Sequence, residues 1–362
     1  MSRIWTVKIG SSLLVDRTGG GVNTVRIQAL IDDVVALRDA GVQVVLVSSG
    51  AVVCGMVALK LKTRPRRLPQ LQAAAAVGQS LLVRHYQEAL DRHDIRVGQL
   101  LLTGEDRENR TRYLNARNTL EQLFRIGAVP LINENDTVAT GELRFGDNDR
   151  LAAMAADLSG SEALVILTDC DGLHEADPRR DSRAKLIRFA RASDPALDEV
   201  AAPGDTELGR GGMFTKLQAA RMAARAGMTT WIAHGELDQP LLRIFRGAAE
   251  CTELAPDPGD EMRENRRWMA SSQGAAGALY LDEGACNELR SGNSSLLAVG
   301  VISAEGGFVK GDIVQCFSAS GQLLARGRAG YSAEELRGAI TDDRRAGLPP
   351  IIRREHLVWL AE

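Results

Sequence analysis

The chain has 362 residues, which is enough for one large domain and a smaller second one. Its hydrophobic content of 44% and its charged content of 25% are ordinary for a soluble globular protein. The net charge of −3 argues against broad electrostatic attraction to nucleic acid or to a membrane surface.

The five cysteines are odd in number and form no C-x-x-C pair. This pattern predicts reduced, mostly buried thiols rather than a disulfide framework or a zinc site. The chain runs directly into strand-like sequence, and no apolar run is long enough to cross a bilayer. We therefore expect a cytoplasmic protein with no membrane partner.

The first 255 residues alternate short apolar runs with longer amphipathic patterns. The predicted strands are 4–9, 42–48, 96–102, 129–133, 163–168 and 229–233, and the predicted helices are 24–39, 71–92, 113–125, 149–158 and 213–226. This alternation predicts an α/β fold, a three-layer αβα sandwich with a mainly parallel sheet. Ligands of such sheets bind beyond the carboxyl ends of the strands.

The composition changes at residues 255–260, where two prolines and a glycine are typical of a linker. Beyond it, short apolar pieces separated by glycines predict a small β-rich domain. These pieces are residues 277–281, 296–302, 308–309, 313–317 and 323–325. The predicted organisation is a first domain over 1–255, a linker over 256–273, a second domain over 274–354 and a tail over 355–362.

Only six of the 44 basic residues are lysines, and two of these six lie in glycine-flanked turns. Lys8 ends an apolar run and begins Lys8-Ile9-Gly10-Ser11-Ser12, and Lys216 ends a glycine-rich segment that leads into a helix. A lysine provides a compact point charge, and glycine amides can approach an anion closely. The two turns suggest phosphate binding, although a solvated lysine beside an ordinary turn is the alternative for each. Neither turn is a P-loop, since no G-x-x-x-x-G-K-[ST] string occurs.

Two clusters of acids and amides, Asn133-Glu134-Asn135-Asp136 and Gly146-Asp147-Asn148-Asp149, flank a predicted loop. Such residues often form turns for purely local reasons. Two clusters placed after a strand and before a helix favour a site that recognises an ammonium group and organises nearby lysines. Mg²⁺ is the alternative ligand, but it takes much of its coordination from water and phosphate, so we favour substrate binding.

Two weaker motifs also follow predicted strands. Ser48-Ser49-Gly50-Ala51 fits a helix N-cap, and the free amides of such a turn can also receive a substrate carboxylate. Thr168-Asp169 fits either a simple bend or a contact to a nucleotide.

These motifs, in this order, resemble the amino acid kinase family over nearly the whole chain. The matching blocks are residues 7–12, 48–51, 114–117, 133–138, 146–149, 167–169 and 211–216. The tail, with Asp282-Glu283-Gly284-Ala285, Ser294–Leu297 and Gly307–Val314, resembles a PUA domain. The pair of acid–amide clusters together with this tail is typical of the family members that phosphorylate free glutamate.

The resemblance implies transfer of the γ-phosphoryl group of ATP to the γ-carboxylate of L-glutamate, with Mg²⁺, as the first step of proline biosynthesis. It implies catalytic roles for Lys8, Asp147 and Lys216, and no metal ligand from the protein. Substrate binding is expected at Ser49, Asp136, Asn148 and Asp149. Nucleotide binding is expected at Lys8, Thr168, Asp169, Arg210, Gly211, Gly212, Met213, Phe214, Thr215 and Lys216. A homo-oligomer (dimer or tetramer), a glutamyl phosphate reductase partner and proline as feedback inhibitor are also implied.

Three residues depart from the family pattern: Arg210 replaces a small polar residue, Phe214 a serine and Asp171 a lysine. Two other functions compete with glutamate phosphorylation. One is a kinase of the same fold for N-acetylglutamate or aspartate. The other is RNA binding through the PUA domain, but residues 276–362 carry nine Lys/Arg against eleven Asp/Glu, whereas RNA-binding domains are normally basic.

Overall fold

The structure is a computed structural model that describes residues 3–15, 21–138, 148–176, 178, 181, 183–201, 212–257, 275–290, 294–341 and 348–360. The chain divides into two compact units, Met1–Pro258 and Gly259–Glu362.

The first unit alternates strands and helices. Its elements are β1 (Arg3–Ile9), α1 (Ser11–Leu14), α2 (Thr24–Asp39), β2 (Val42–Ser48), α3 (Ala51–Ala58), α4 (Leu68–Asp91), β3 (Val97–Leu102), α5 (Gly104–Glu108), α6 (Arg110–Arg125), β4 (Val129–Glu134), α7 (Asn148–Ser159), β5 (Ala163–Thr168), β6 (Phe189–Arg191), α8 (Ala196–Val200), α9 (Met213–Arg225), β7 (Thr229–His234), α10 (Pro240–Phe245) and β8 (Cys251–Ala255). All six predicted strands are present, and their ends lie within one residue of the prediction. The five predicted helices are also present, although α4 and α6 begin three residues earlier than predicted.

The eight described strands form one sheet in the order β3-β4-β2-β1-β5-β7-β8-β6. The neighbouring strands pair in parallel except β7 and β8, which are antiparallel. One apolar cluster, with side chains from α2, α3, α4 and α10, covers one face, and a second cluster, from α6, α7, α8 and α9, covers the other. The predicted αβα sandwich with a mainly parallel sheet is thus confirmed.

The central strands are buried because their sequences are apolar on both faces. All six residues of β5 are buried, as are six of the seven in β2. The strands β6 and β8 were not predicted, since they contain only three and five residues and carry partly exposed side chains. Short strands at or next to the edge of a sheet carry too little pattern to be separated from loops.

Helices α3 and α4 cross with their backbones in contact. A Cβ atom added at Gly55 would lie 1.7 Å from the carbonyl oxygen of Ala74, and one added at Gly78 would lie 1.8 Å from that of Ala51. Only glycine permits this approach. The contact fixes the middle of α4 against the first residue of α3, at the carboxyl end of β2.

The second unit contains β9 (Gly277–Leu281), α11 (Glu283–Arg290), β10 (Val301–Gly306), β11 (Ile313–Ser318), β12 (Leu323–Arg328), α12 (Ala333–Thr341) and β13 (Leu357–Trp359). The strands form a sheet in the order β10-β9-β11-β12-β13. Because β13 pairs with β12, the predicted domain boundary at residue 354 cuts off one strand of this sheet. The apolar pair Phe308-Val309 lies outside the strands, with Phe308 buried in the core and Val309 exposed.

All five cysteines are free, but fewer of them are buried than predicted. Cys54 and Cys316 are buried, whereas Cys170, Cys251 and Cys286 are only half-buried. Within the described part of the chain, no helix is long and apolar enough to cross a membrane.

Candidate functional site

The carboxyl ends of four neighbouring strands bring the predicted motifs to one edge of the sheet. In the order β4-β2-β1-β5, these parallel strands end near Asn133, Ser48, Lys8 and Thr168, respectively. Strand β2 pairs with one side of β1 and β5 pairs with the other, so the strand order changes direction at β1. In open α/β sheets, such a point forms the crevice where ligands bind. Motifs far apart in sequence therefore meet in space.

The buried carboxylate of Asp149 holds two lysines. The Lys8 ammonium nitrogen lies 2.7 Å from Asp149 Oδ1, and that of Lys216 lies 3.4 Å from Asp149 Oδ2. Thr215 Oγ1 donates a hydrogen bond of 2.8 Å to the same Oδ2 atom. Lys8 is 7% exposed, Lys216 is 5% exposed and Asp149 is 1% exposed. Strand β1 supplies Lys8, the first turn of α7 supplies Asp149, and the first turn of α9 supplies Thr215 and Lys216.

The charges of this cluster determine the ionisation of Asp149. Burial alone would raise the pKa of Asp149, but the ammonium groups of Lys8 and Lys216 and the hydrogen bonds from Lys8 and Thr215 outweigh burial and lower it. The carboxylate is consequently ionised at neutral pH. Two ammonium groups share this one buried carboxylate, so the cluster itself carries a net positive charge suited to an anionic group.

A chain of hydrogen bonds lies beside this cluster. Asn148 Nδ2 donates to the carbonyl oxygen of Ser48 at 2.7 Å and to Asn133 Oδ1 at 2.9 Å. Asn133 Nδ2 donates to Gln79 Oε1 at 2.7 Å. The Ser48 hydroxyl lies 2.9 Å from the hydroxyl of Tyr86, which is fully buried. These bonds connect β2, β4, α4 and α7, and they fix the orientation of Asn148 next to Asp149.

Asp136 lies three residues beyond Asn133 and is half-buried. Burial raises the pKa of Asp136 to about 6, and the nearby guanidinium of Arg64 opposes that rise. A cationic partner would stabilise the ionised form of this partly buried carboxylate. Ser49 is half-buried at the end of β2, and its carbonyl oxygen accepts a hydrogen bond of 2.9 Å from the hydroxyl of Ser48.

The turn after β1 packs against the end of β5. The Gly10 amide donates to the carbonyl oxygen of Leu167 at 3.0 Å, and a Cβ atom at Gly10 would also lie 3.0 Å from that oxygen. At the end of β5, the hydroxyl of the buried Thr168 lies 3.2 Å from Asp169 Oδ1. Thr168 and Asp169 therefore border the same crevice as the Lys8 turn.

Within the described part of the chain, no three acidic, histidine or cysteine side chains lie close enough together to hold a metal ion. Asp149 contacts two ammonium groups, which repel a divalent cation.

A search against family models matches residues 3–234 to the amino acid kinase family and residues 277–343 to the PUA domain. The first match covers more than half of the chain and includes the strands and lysines described above. The chain belongs to the amino acid kinase family.

Curated relatives of this amino acid kinase match it over nearly its whole length. A protein of Stutzerimonas stutzeri named glutamate 5-kinase is 50% identical over 334 residues, which are 92% of this chain and 89% of the relative. A glutamate 5-kinase of Pseudomonas fluorescens is 46% identical over 362 residues, covering 98% of this chain and 97% of the relative.

Solved structures share the fold at much lower identity. UMP kinase from Ureaplasma parvum matches with a TM-score of 0.51 and 13% identity, over 70% of this chain and 99% of that protein. Carbamate kinase from Giardia lamblia, bound to AMP-PNP, matches with a TM-score of 0.51 and 15% identity, over 71% of this chain and 99% of that protein. Both likenesses concern the fold alone.

The structure of this amino acid kinase brings several predicted site residues together. Lys8, Asp149, Thr215 and Lys216 contact one another directly. At the start of α9, the carbonyl oxygen of Gly212 accepts a hydrogen bond of 3.2 Å from the backbone amide of Thr215. Met213 is half-buried, and Phe214 is 41% exposed. The predicted site residues Asp147, Arg210 and Gly211 lie outside the described residues.

Three members of the site were not predicted from the sequence: the Ser48 carbonyl oxygen, Gln79 and Tyr86. A backbone carbonyl has no sequence signal, and Gln79 and Tyr86 look like ordinary members of an amphipathic helix. The one available signal was Gly78. A glycine in the middle of a helical pattern indicates a close backbone approach, and Gln79 is its neighbour.

Proposed function

We propose that this chain transfers the γ-phosphoryl group of ATP to the γ-carboxylate of L-glutamate, as a glutamate 5-kinase does, in the first step of proline biosynthesis. The names of relatives that are 46% and 50% identical over most of the chain support this substrate pair. The observation that carries the proposal is the contact of Lys8 and Lys216 with the two oxygens of one buried carboxylate, Asp149. This arrangement holds two ammonium groups side by side, where they can neutralise the charge of a phosphoryl group during its transfer.

In the proposed reaction, a γ-carboxylate oxygen of glutamate forms a bond to the γ-phosphorus of ATP. The bond between that phosphorus and the β,γ-bridging oxygen breaks, and ADP leaves with the electron pair. Both reactants are anions, so positioning and charge neutralisation supply most of the catalysis. Lys8 and Lys216 neutralise the transferring group, and Asp149 holds their ammonium groups in place.

No general base is needed for this reaction. The side-chain carboxyl group of glutamate has a pKa of about 4.3 and is ionised at neutral pH. Asp149 contacts the lysines and Thr215 and is assigned to orienting them. The role of Asp147 next to it stays a prediction.

We assign the amino acid end of the substrate to the polar groups beyond β2 and β4. Asp136 receives the α-ammonium group, because its burial makes a cationic partner favourable. Asn148 and Ser49 complete this part of the site, and Asn148 is held in place by its bonds to Ser48 and Asn133.

We assign the nucleotide to the other side of Lys8, near Thr168, Asp169 and the segment 210–216. Gly212 and Thr215 lie at the start of α9, where the helix dipole favours phosphate. Since the described residues form no metal cluster, we propose that Mg²⁺ arrives with the phosphates of ATP and keeps much of its water.

The product is an acyl phosphate, which water cleaves readily, so consumption by a glutamyl phosphate reductase partner is proposed. A homo-oligomeric state and feedback inhibition by proline are proposed from the family resemblance, and a cytoplasmic location is proposed from the sequence pattern.

A steady-state assay of ADP release tests the proposed substrate. We expect turnover that depends on L-glutamate, weak turnover with aspartate and none with N-acetylglutamate, because acetylation removes the ammonium group that Asp136 receives. Comparable rates with N-acetylglutamate would assign the chain to a different amino acid kinase activity.

A filter-binding assay with RNA at low salt tests the competing function, RNA binding through the PUA domain. Tight RNA binding without glutamate-dependent turnover would contradict the proposal.

A further inference from the structure

The direction of every bond in the amide chain Ser48–Asn148–Asn133–Gln79 is fixed by backbone groups. The Ser48 carbonyl oxygen can only accept, so the atom of Asn148 that lies 2.7 Å from it must be the nitrogen Nδ2. The same nitrogen donates to Asn133 at 2.9 Å. The atom of Asn133 that receives this bond must therefore be its oxygen.

The other backbone constraint is at Asn133. The Glu134 amide, which can only donate, lies 2.9 Å from Asn133 Oδ1. Asn133 Nδ2 is then left to donate, and it lies 2.7 Å from Gln79 Oε1. Rotating the Gln79 amide by half a turn would place two NH₂ groups against each other. The oxygen of Gln79 consequently faces Asn133, and its nitrogen faces away.

The nitrogen Gln79 Nε2 is buried, and none of the described residues accepts a hydrogen bond from it. A buried donor without an acceptor is destabilising, and buried polar groups in native proteins nearly always have partners. Gln79 cannot recover this cost by changing its orientation, since the amide chain fixes it. An acceptor group that enters the site with the substrate would satisfy this donor.

The position of Gln79 indicates which acceptor. Gly78, the neighbour of Gln79 on α4, packs against Ala51 at the start of α3, two residues beyond Ser49. Strand β2 separates β4, which carries Asn133, from β1, which carries Lys8. Gln79 also bonds to Asn133, on the strand that leads to Asp136. These contacts place it at the amino acid end of the substrate.

We propose that Gln79 Nε2 donates a hydrogen bond to the α-carboxylate of L-glutamate and that this contact selects substrates with a free α-carboxylate. The inference rests on the proposed function. Asp136 receives the α-ammonium group and Gln79 receives the carboxylate attached to the same carbon atom, so the two side chains recognise both charges of the amino acid.

Two substitutions separate a direct contact from a purely structural role. Gln79→Glu keeps an oxygen that accepts from Asn133 but replaces the donor with a negative oxygen, whereas Gln79→Met removes both functions. A direct contact predicts a rise in the KM for glutamate on the order of 100-fold in Gln79→Glu, with the KM for ATP changed by less than about twofold. If Gln79 only positions Asn133, Gln79→Glu stays close to the wild type while Gln79→Met loses activity, and the proposal fails.

A change of substrate provides the decisive readout. The α-amide of glutamate, isoglutamine, carries an NH₂ group that can donate to the new carboxylate of Gln79→Glu. We expect the ratio of kcat/KM for glutamate to kcat/KM for isoglutamine to fall by about 100-fold or more in this variant relative to the wild type. An unchanged ratio would overturn the inference.

The same assay separates this inference from the function on which it rests. Wild-type enzyme without turnover of glutamate would remove the proposed function and the inference together, while wild-type turnover with an unchanged ratio in Gln79→Glu removes the inference alone. Gln122→Glu, an identical substitution at an exposed position on α6, serves as the matched control and should leave the ratio unaltered. Thermal unfolding with and without ATP verifies that each variant is folded.

Discussion

The ammonium nitrogen of Lys8 lies 2.7 Å from Oδ1 of Asp149, and both side chains are almost completely buried. Because Asp149 also contacts Lys216, a single acid from α7 links the first strand to a late helix. The site and the fold therefore depend on the same ion pairs.

Replacing Lys8 or Lys216 by methionine should lower kcat by about 100-fold or more, because each substitution removes a charge that stabilises the transferring group. Lys185→Met, at an exposed position, is the control and should leave kcat unchanged. Steady-state kinetics at saturating ATP and glutamate provide the measurement. Near-normal kcat in a folded Lys216→Met variant is incompatible with the proposed role.

Asp149→Asn should destabilise the protein by about 3–5 kcal/mol at neutral pH, since it leaves two buried ammonium groups without their counter-charge. The pKa of Asp149 is lowered in the folded state, so its stabilisation is fully present above its unfolded pKa and is lost as the pH falls through the lower, folded value. The difference between wild type and variant should consequently shrink in acid. Guanidinium unfolding at several pH values measures it, and a constant difference of less than about 1 kcal/mol would contradict this account.

The KM for glutamate should rise as the pH falls from about 7.5 to about 5.5, because burial raises the pKa of Asp136 to about 6 and the protonated acid cannot pair with an ammonium group. Asp136→Asn should raise the KM at every pH and abolish this dependence. The phosphates of ATP also titrate in this pH range, but they affect the wild type and the variant equally. The comparison with Asp136→Asn therefore separates the titration of Asp136 from that of ATP. A wild-type profile that persists in Asp136→Asn would exclude Asp136 as its source.

The raised pKa of Asp136 also predicts a pH dependence of stability, with a sign opposite to that expected for Asp149. A raised pKa means that Asp136 contributes stability at low pH that is lost as the pH rises through about 6. At neutral pH the ionised carboxylate of Asp136 destabilises the folded protein because it is partly buried. Asp136→Asn should therefore stabilise the unliganded protein by roughly 1 kcal/mol. Thermal unfolding without substrate tests this, and destabilisation by the substitution would show that the charge is already satisfied within the protein.

Gly78→Ala should destabilise the first unit by about 1–3 kcal/mol or more, because the new methyl group would lie 1.8 Å from the carbonyl oxygen of Ala51 and force α3 and α4 apart. Since Gln79 moves with α4, the KM for glutamate should rise as well. Gly338→Ala is the matched control: it lies in α12, where the added Cβ atom would meet no atom within 4 Å. There the substitution should stabilise by up to about 1 kcal/mol.

Much of the first unit could be predicted from the sequence because its central strands are long and apolar, and because parallel topology determines where their carboxyl ends lie. For the same reason, the sequence was sufficient to predict that Lys8, Asp149 and Lys216 lie close together. Short edge strands such as β6 were not predictable, since three residues, two of them exposed, carry no periodic signal. Nor was the role of Gln79, which depends on the direction of hydrogen bonds between side chains from three separate elements.

The central claim is that a γ-carboxylate oxygen of glutamate becomes bonded to the phosphorus atom of ATP. Its most direct test uses glutamate labelled with ¹⁸O in the γ-carboxylate, with hydroxylamine present to cleave the acyl phosphate at its carbonyl carbon. The released phosphate should then carry one ¹⁸O atom, detectable by mass spectrometry, and label in the α-carboxylate should give none. Phosphate released without ¹⁸O from the γ-labelled substrate would contradict the account.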